Sequence, residues 1–271
     1  MKIAEIKELL NNNPCEALLA ELAQDERSGV QKLVAAYYKK QRAEAAERER
    51  FAKMLVYENE CRSSGAQYVA GVDEAGRGPL AGPMVIGAVI LPPDVYIKGL
   101  NDSKKLTAAR REQLYGEILK TALAVSVNIV SVYNIDRLNI YRATQEGMAE
   151  VLANLKIRPQ AALIDAMPVQ AEGIKTYSIV HGDSLSASIA AASVIAKVTR
   201  DRLMEKLAKQ YPQYGWQNNK GYGSSEHMQA ILEYGATCWH RRSYEPVKSM
   251  HLQQAEQLAN KLIRLPEKLD G

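Results

Sequence analysis

Apolar positions recur at helical spacing through residues 1 to about 66. Ile3, Ile6, Leu9 and Leu10 mark one short helix, and Ala17, Leu18, Leu19 and Leu22 mark a second after Pro14. A longer helix follows Gly29, with Val30, Leu33, Val34, Tyr37 and then Phe51, Met54 and Leu55 on one stripe. Between them lies KKQRAEAAERER, where interspersed acids cancel much of the pull a basic arm would exert on phosphate, so it reads as a solvated helix face. Ser63-Ser64-Gly65 then reads as a linker. From Tyr68 onward strands and helices alternate. YVAGV and MVIGAVIL are β-rich, TAARREQLYGEILKTAL is helical, SVNIVSV is a strand, and a helix around ATQEGMAEVLANL leads to the buried-looking strand AALID. TYSIV is the next strand, followed by a long helix from about Ser184 to Lys209 whose segment SASIAAASVIAK is rich in small residues, which permits close approach to a sheet or ligand. The economical architecture is α/β, a mixed sheet flanked by helices over residues 67–271, with residues 1–66 a small helical extension and a further helical segment at the carboxyl end.

Composition narrows the class without naming a function. With 46% apolar and 24% charged residues, the balance is that of an ordinary globular protein. No apolar run approaches the roughly 18 residues of a spanning helix, and the amino terminus carries acids where a secretory signal has an uncharged core, so a cytoplasmic location is the expectation. Cys15, Cys61 and Cys238 are odd in number and lack CxxC spacing, which suggests neither a disulfide framework nor structural zinc. A net charge of +4 is compatible with a polyanionic partner and too modest to identify one. Nothing signals a membrane or a protein partner, and a monomer is expected.

The chemistry concentrates in Gly71-Val72-Asp73-Glu74-Ala75-Gly76-Arg77-Gly78-Pro79, where two carboxylates end an apolar strand and a glycine-rich turn follows. A dinucleotide loop is a poor match, since the spacing fails GxGxxG and no helix begins after it. Asp73 and Glu74 would also repel a bare phosphate, by about 4 kcal/mol for unit charges about 4 Å apart at an effective dielectric of 20. A divalent cation between acid and phosphate reverses that sign. Asp165 ends the apolar run AALI, and Asp183 stands between a strand and the following helix, so each strand end can deliver one carboxylate to a common cleft. Oxygen ligands without His or Cys suit Mg²⁺ or Mn²⁺. Adjacent strand residues point to opposite faces, so Asp73 and Glu74 share a site only if the strand bends, and Gly76 and Gly78 offer the bend. Asp183 also suits a helix N-cap, and Asp165, ahead of Pro168, also suits a turn.

The run DEAGRGPLAGP, with NDSKKL at residues 101–106, ALIDA, HGDSLSASIAAASVIAKVTRDR and NKGYGSSEH, resembles the bacterial ribonuclease HII family over about residues 68–247. The resemblance implies a ribonuclease H-like fold and a metal-dependent endoribonuclease whose acids at Asp73, Glu74, Asp165 and Asp183 hold two divalent ions, Mn²⁺ or Mg²⁺. It implies hydrolysis of the RNA strand of RNA–DNA hybrids and incision 5′ of single ribonucleotides in duplex DNA, supporting their removal and leaving 3′-hydroxyl and 5′-phosphate ends. In such a two-metal reaction, ions about 3.5 to 4 Å apart grip the scissile phosphate, one generating the hydroxide and the other stabilising the leaving 3′ oxygen. None of His181, His227, His240 and His251 is then needed as a base, and His227 is at most a phosphate contact.

The resemblance also assigns recognition. Gly76, Arg77 and Gly78 match the segment that sets backbone groups against the 2′-hydroxyl, the sugar feature separating RNA from DNA, and Tyr222 resembles a tyrosine that stacks on the deoxyribose following the ribonucleotide. Arg77 alternatively reads as a surface ion pair. Lys104, Lys197 and Lys220 are candidate phosphate contacts, against the plain reading of solvated lysines. Arg241 and Arg242 either extend a basic surface or cap the preceding helix. Two alternatives stand beside this reading. A ribonuclease HIII-like sister enzyme has Gly-Thr-Gly where this chain has Gly76-Arg77-Gly78 and begins with a β-rich platform. A non-catalytic hybrid-binding module leaves the acids unexplained.

Overall fold

A computed structural model describes residues 1–12, 14–250 and 253. It comprises α1 (Ile3–Asn11), α2 (Glu16–Ala23), α3 (Ser28–Lys53), α4 (Val56–Ser63), β1 (Val69–Ala75), β2 (Met84–Ile90), α5 (Ala108–Thr121), β3 (Ala124–Val130), α6 (Val132–Leu138) and α7 (Ile140–Ala153). There follow β4 (Ala161–Asp165), β5 (Lys175–Ile179), α8 (Gly182–Leu185), α9 (Ala187–Gln210), α10 (Trp216–Asn219) and α11 (Ser225–Tyr234). The chain divides into two compact units, the first ending at Lys53 and the second beginning at Met54. In the first, α1 and α2 pack on α3 through Ile6, Leu10, Leu22, Val30 and Val34. The charged run on α3 contains no buried residue and carries the pair Arg50–Glu47, as a solvated face should.

The second unit includes α4. Cys61 of α4 shares a core with Val69, Ala161, Leu163 and Ile189. The sheet order is β3-β2-β1-β4-β5, with β1 antiparallel to β2 and β2 to β3, and with β1 parallel to β4 and β4 to β5. It is the expected mixed sheet. Residues of even number on β1, Ala70 and Val72, face a core shared with Ala143, Met148 and Val151 of α7. The odd-numbered face lies under α9 at very short range. A Cβ built on Gly71 would sit 2.0 Å from the Ser188 backbone, and one on Gly87 would sit 2.7 Å from the Ala192 carbonyl. Residues 187–196 are all buried, so the small side chains serve contact with the sheet.

The helix expected from Ser184 to Lys209 is two helices. The chain turns at Ser186, whose side chain caps α9 by accepting the Ile189 N–H at 3.2 Å. The expected carboxyl-terminal helical segment lies largely outside the described residues. Among the described residues no helix is long and apolar enough to cross a membrane.

Candidate active site

The parallel pairing of β1 with β4 ends at Val72 opposite Ile164, so the register carries Asp73 alongside Asp165 at the ends of the two central strands. The ladder to β2 runs unbroken through Asp73, Glu74 and Ala75; the Glu74 charge nonetheless reaches Asp73, and both acids are within electrostatic reach of Asp165. Asp73 is buried on the α9 side, where its Oδ1 accepts the Glu74 N–H at 2.7 Å and the Ser193 hydroxyl of α9, hydrogen-bonded to Ser103 at 2.8 Å, lies near enough to favour its charged form. Burial, then the Glu74 charge, push Asp73 well above the usual carboxylate range. Glu74 is raised by burial, with Arg77, 3.6 Å away, opposing. Asp165 is raised by burial and then by Asp183, with the Gly182 N–H donating to its Oδ1 at 2.7 Å and opposing.

Asp183 does not cap α9, a role that Ser186 fills. It is buried in α8, and its Oδ2 meets Lys104 Nζ at 3.3 Å. Asp165 spends its Oδ1 on that same α8 backbone, so β4 and α8 hold their two acids together. Among the described residues no group of three or more Asp, Glu, His or Cys side chains is already arranged to hold a metal ion. In donor chemistry the acid cluster fits a hard divalent cation, because every donor is a carboxylate oxygen, and such a charge would offset the burial and the lesser mutual repulsion that raise Asp73, Glu74 and Asp165.

The loop after β1 is held from within by two buried guanidiniums that the sequence did not place. Arg241, expected on a surface or at a helix end, is fully buried and donates to the carbonyls of Gly76 (2.6 Å), Arg77 (2.8 Å) and Gly82 (2.9 and 3.1 Å). Arg200 of α9 donates to Pro83 (3.0 Å) and Ala81 (3.2 Å). Burial and then Arg241 lower Arg200 to about 10, and burial lowers Arg241. Gly76 has φ +96°, and a Cβ there would lie 2.0 Å from Arg200 Nε, so both backbone and packing demand glycine. Nothing in their spacing distinguishes these arginines from surface ones; only packing reveals them.

Tyr222 is half exposed, and its ring stands 3.6 Å from where a Cβ on Gly78 would be. The structure thus brings the Gly76-Arg77-Gly78 loop and this tyrosine together. His227 is no phosphate contact. It is fully buried, with Nδ1 against the Tyr222 carbonyl at 2.8 Å and Nε2 against both Trp216 Nε1 (3.0 Å) and His240 Nε2 (3.1 Å). His181 is exposed at the start of α8, and His251 lies outside the described residues. Of the three lysines, Lys104 joins the acids, whereas Lys197 pairs with Asp201 at 2.7 Å and Lys220 with Glu205 at 2.8 Å.

The Ribonuclease HII profile matches residues 70–247, and the Ribonuclease HII N-terminal domain profile matches residues 2–62. The chain belongs to the ribonuclease HII family. It is 52% identical over 229 residues to a Ribonuclease HII of Bacillus anthracis (strain CDC 684 / NRRL 3495), covering 84% of this chain and 89% of that one. It is 50% identical over 245 residues to one of Bacillus cereus (strain G9842), covering 90% and 94%. The crystal structure of ribonuclease H2 from Pyrococcus horikoshii OT3 superposes with a TM-score of 0.61 at 29% identity, over 70% of this chain and 100% of that chain. Family membership makes the protein an endonuclease of the ribonuclease H type, and the sheet with its flanking helices is the fold of that neighbour.

Proposed function

We propose that the protein cleaves the RNA strand of RNA–DNA hybrids and incises 5′ of single ribonucleotides in duplex DNA, leaving 3′-hydroxyl and 5′-phosphate ends and so supporting ribonucleotide removal. The observation that carries this is one of position: Asp73 and Glu74 lie directly before a glycine loop that Tyr222 flanks, and Asp165, with Asp183 beside it, is within electrostatic reach of both. Two Mn²⁺ or Mg²⁺ ions held by the four carboxylates would neutralise the scissile phosphate and lower the pKa of the attacking water. The loop at Gly76, Arg77 and Gly78 would meet the ribose 2′-hydroxyl through its backbone groups. Tyr222 would pack on the neighbouring deoxyribose. Lys104 already offsets the negative field at Asp183, and it would contact phosphate; Lys197 and Lys220 would do so by exchanging their acid partners.

The test is a labelled duplex with one ribonucleotide, incubated with Mn²⁺, with Mg²⁺ or with chelator. Incision 5′ of the ribonucleotide, abolished by chelator and absent on the all-deoxy duplex, is the expected outcome. Metal-independent cleavage, or binding without cleavage, would remove the proposal.

A further inference from the structure

We infer that Arg241 is a positioning residue that aims the backbone amides of the Gly76-Arg77-Gly78 loop at the substrate sugar, acting from the protein interior without touching nucleic acid. The inference rests on the reading of that loop given above and extends it to a residue outside the motif. Its physical basis is the rigidity of the peptide unit. In a planar trans peptide, the carbonyl of one residue and the N–H of the next point in opposite directions, so fixing one fixes the other. Arg241 draws the carbonyls of Gly76 and Arg77 inward with separate Nη donors, and this turns the N–H groups of Arg77 and Gly78 away from it. Among the described residues no acceptor takes either N–H. Both carbonyls belong to the very peptides that a ribose-reading role requires.

The same guanidinium also closes the loop on itself. Its Nε and Nη2 reach the Gly82 carbonyl, tying the far end of the segment to Gly76, and the Arg241 N–H donates to the Leu80 carbonyl at 2.8 Å. Arg200 then holds Ala81 and Pro83 from the α9 side. Tyr244 adds a second hydrogen bond to the Arg77 carbonyl at 2.6 Å, and its ring lies 5.0 Å from the Arg241 guanidinium. Neither arginine is paired with a carboxylate among the described residues. A planar fork of five donors can serve three carbonyls at once, which a lysine ammonium on its flexible stem cannot do with the same directionality. Burying a cation with only carbonyl partners is costly, and a sequence that needed only a stable turn would have cheaper solutions.

The variants Arg241→Lys and Tyr244→Phe test this, the second removing one hydroxyl and keeping the ring. Two measurements are made on each and on the unaltered chain. The first is amide exchange in the free protein at Leu80, Ala81 and Gly82, whose N–H groups donate to Gly221 and Trp239 carbonyls and so report loop order. The second is single-turnover incision at one embedded ribonucleotide beside affinity for the all-deoxy duplex. For Arg241→Lys we expect exchange and incision to change by roughly tenfold or more, with all-deoxy affinity held within about twofold, and a smaller change of the same kind for Tyr244→Phe. Unchanged exchange overturns the inference. So does faster exchange with undiminished incision, or a parallel loss of incision and all-deoxy affinity. If Arg241→Lys does not fold, Tyr244→Phe decides by the same criteria. Failure of the unaltered chain to cut at the ribonucleotide would overturn the proposed activity, while the exchange result would still decide whether the clamp exists.

Discussion

Asp73 ionises against opposition from burial and from the neighbouring Glu74, which is the electrostatic signature of a group placed for charge and not for stability. The sign follows directly. A carboxyl whose folded-state pKa is raised makes its charged form destabilising at neutral pH, so replacing it by a neutral isostere relieves repulsion. An asparagine can still accept the Glu74 N–H through its own Oδ1. Asp73→Asn should therefore melt at the same temperature or higher in metal-free buffer, while incision falls by a factor on the order of 10² to 10³. Calorimetry beside a cleavage assay checks both halves. A variant that melts markedly lower would show that Asp73 is structural, and full activity would take it out of the site. Arg241 differs, because there the buried charge is fully hydrogen-bonded and removing it takes the side-chain donors from the Gly76 and Gly82 carbonyls.

Helix α9 is the element on which the site is built. It crosses β1 so closely that Gly71 has no room for a side chain, and it brings Ser193 to Asp73 and Arg200 to the loop. Its amino terminus is secured by a device invisible to periodicity. Glu58 of α4, fully buried, accepts the Ser186 hydroxyl at 2.6 Å and the Ser188 N–H at 2.8 Å, placing a carboxylate at the positive end of the helix. Its second oxygen has no partner among the described residues, so the arrangement depends on the first. Ser186→Ala removes both the cap and one of the two donors to Glu58. The expected loss is about 1–2 kcal/mol, a drop of several degrees in melting temperature. Thermal melts of Ser186→Ala and Ser186→Thr check it, the threonine restoring most of the loss; an unshifted midpoint for alanine would mean that α9 is held by the sheet alone.

Across the molecule, acidity acts on two buried groups with opposite signs. Trp216 can only donate to His227 Nε2, so His227 carries its proton on Nδ1 and gives it to the Tyr222 carbonyl. The Thr237 N–H donates to His240 Nδ1, so His240 carries its proton on Nε2 and gives it to His227. Both imidazoles are neutral and neither has a place for a second proton. Burial lowers His227, and burial together with His227 lowers His240 to about 3 from an ordinary 6.5. Above pH 6.5 neither state of the protein protonates them. As pH falls below 6.5 the unfolded chain takes up protons that the native state refuses, so stability is lost, by at most about 1.4 kcal/mol per pH unit for each imidazole. The raised acids Asp73, Glu74 and Asp165 work the other way, gaining stability as they protonate. The difference between two chains isolates the imidazole contribution. Relative to His240→Gln, the unaltered chain should lose stability steadily from pH 7 to pH 5 in denaturant titrations. A constant difference over that interval would mean that His240 is not held neutral.

Residue order alone was enough to predict the five strands, the helical first segment and the candidacy of Asp73, Glu74, Asp165 and Asp183. Period and composition record which face of each element is buried, and acids that end apolar strands stand out against them. The unbroken strand through Asp73 and Glu74 and the turn at Ser186 that frees Asp183 from capping were decided by packing between segments far apart in the chain. The same holds for Arg200, Arg241, Glu58 and the two histidines. A charged residue in a sequence reads as surface because burial is ordinarily prohibitive; it becomes interior only when distant backbone carbonyls or amides converge to solvate it, and that convergence exists nowhere but in the folded structure.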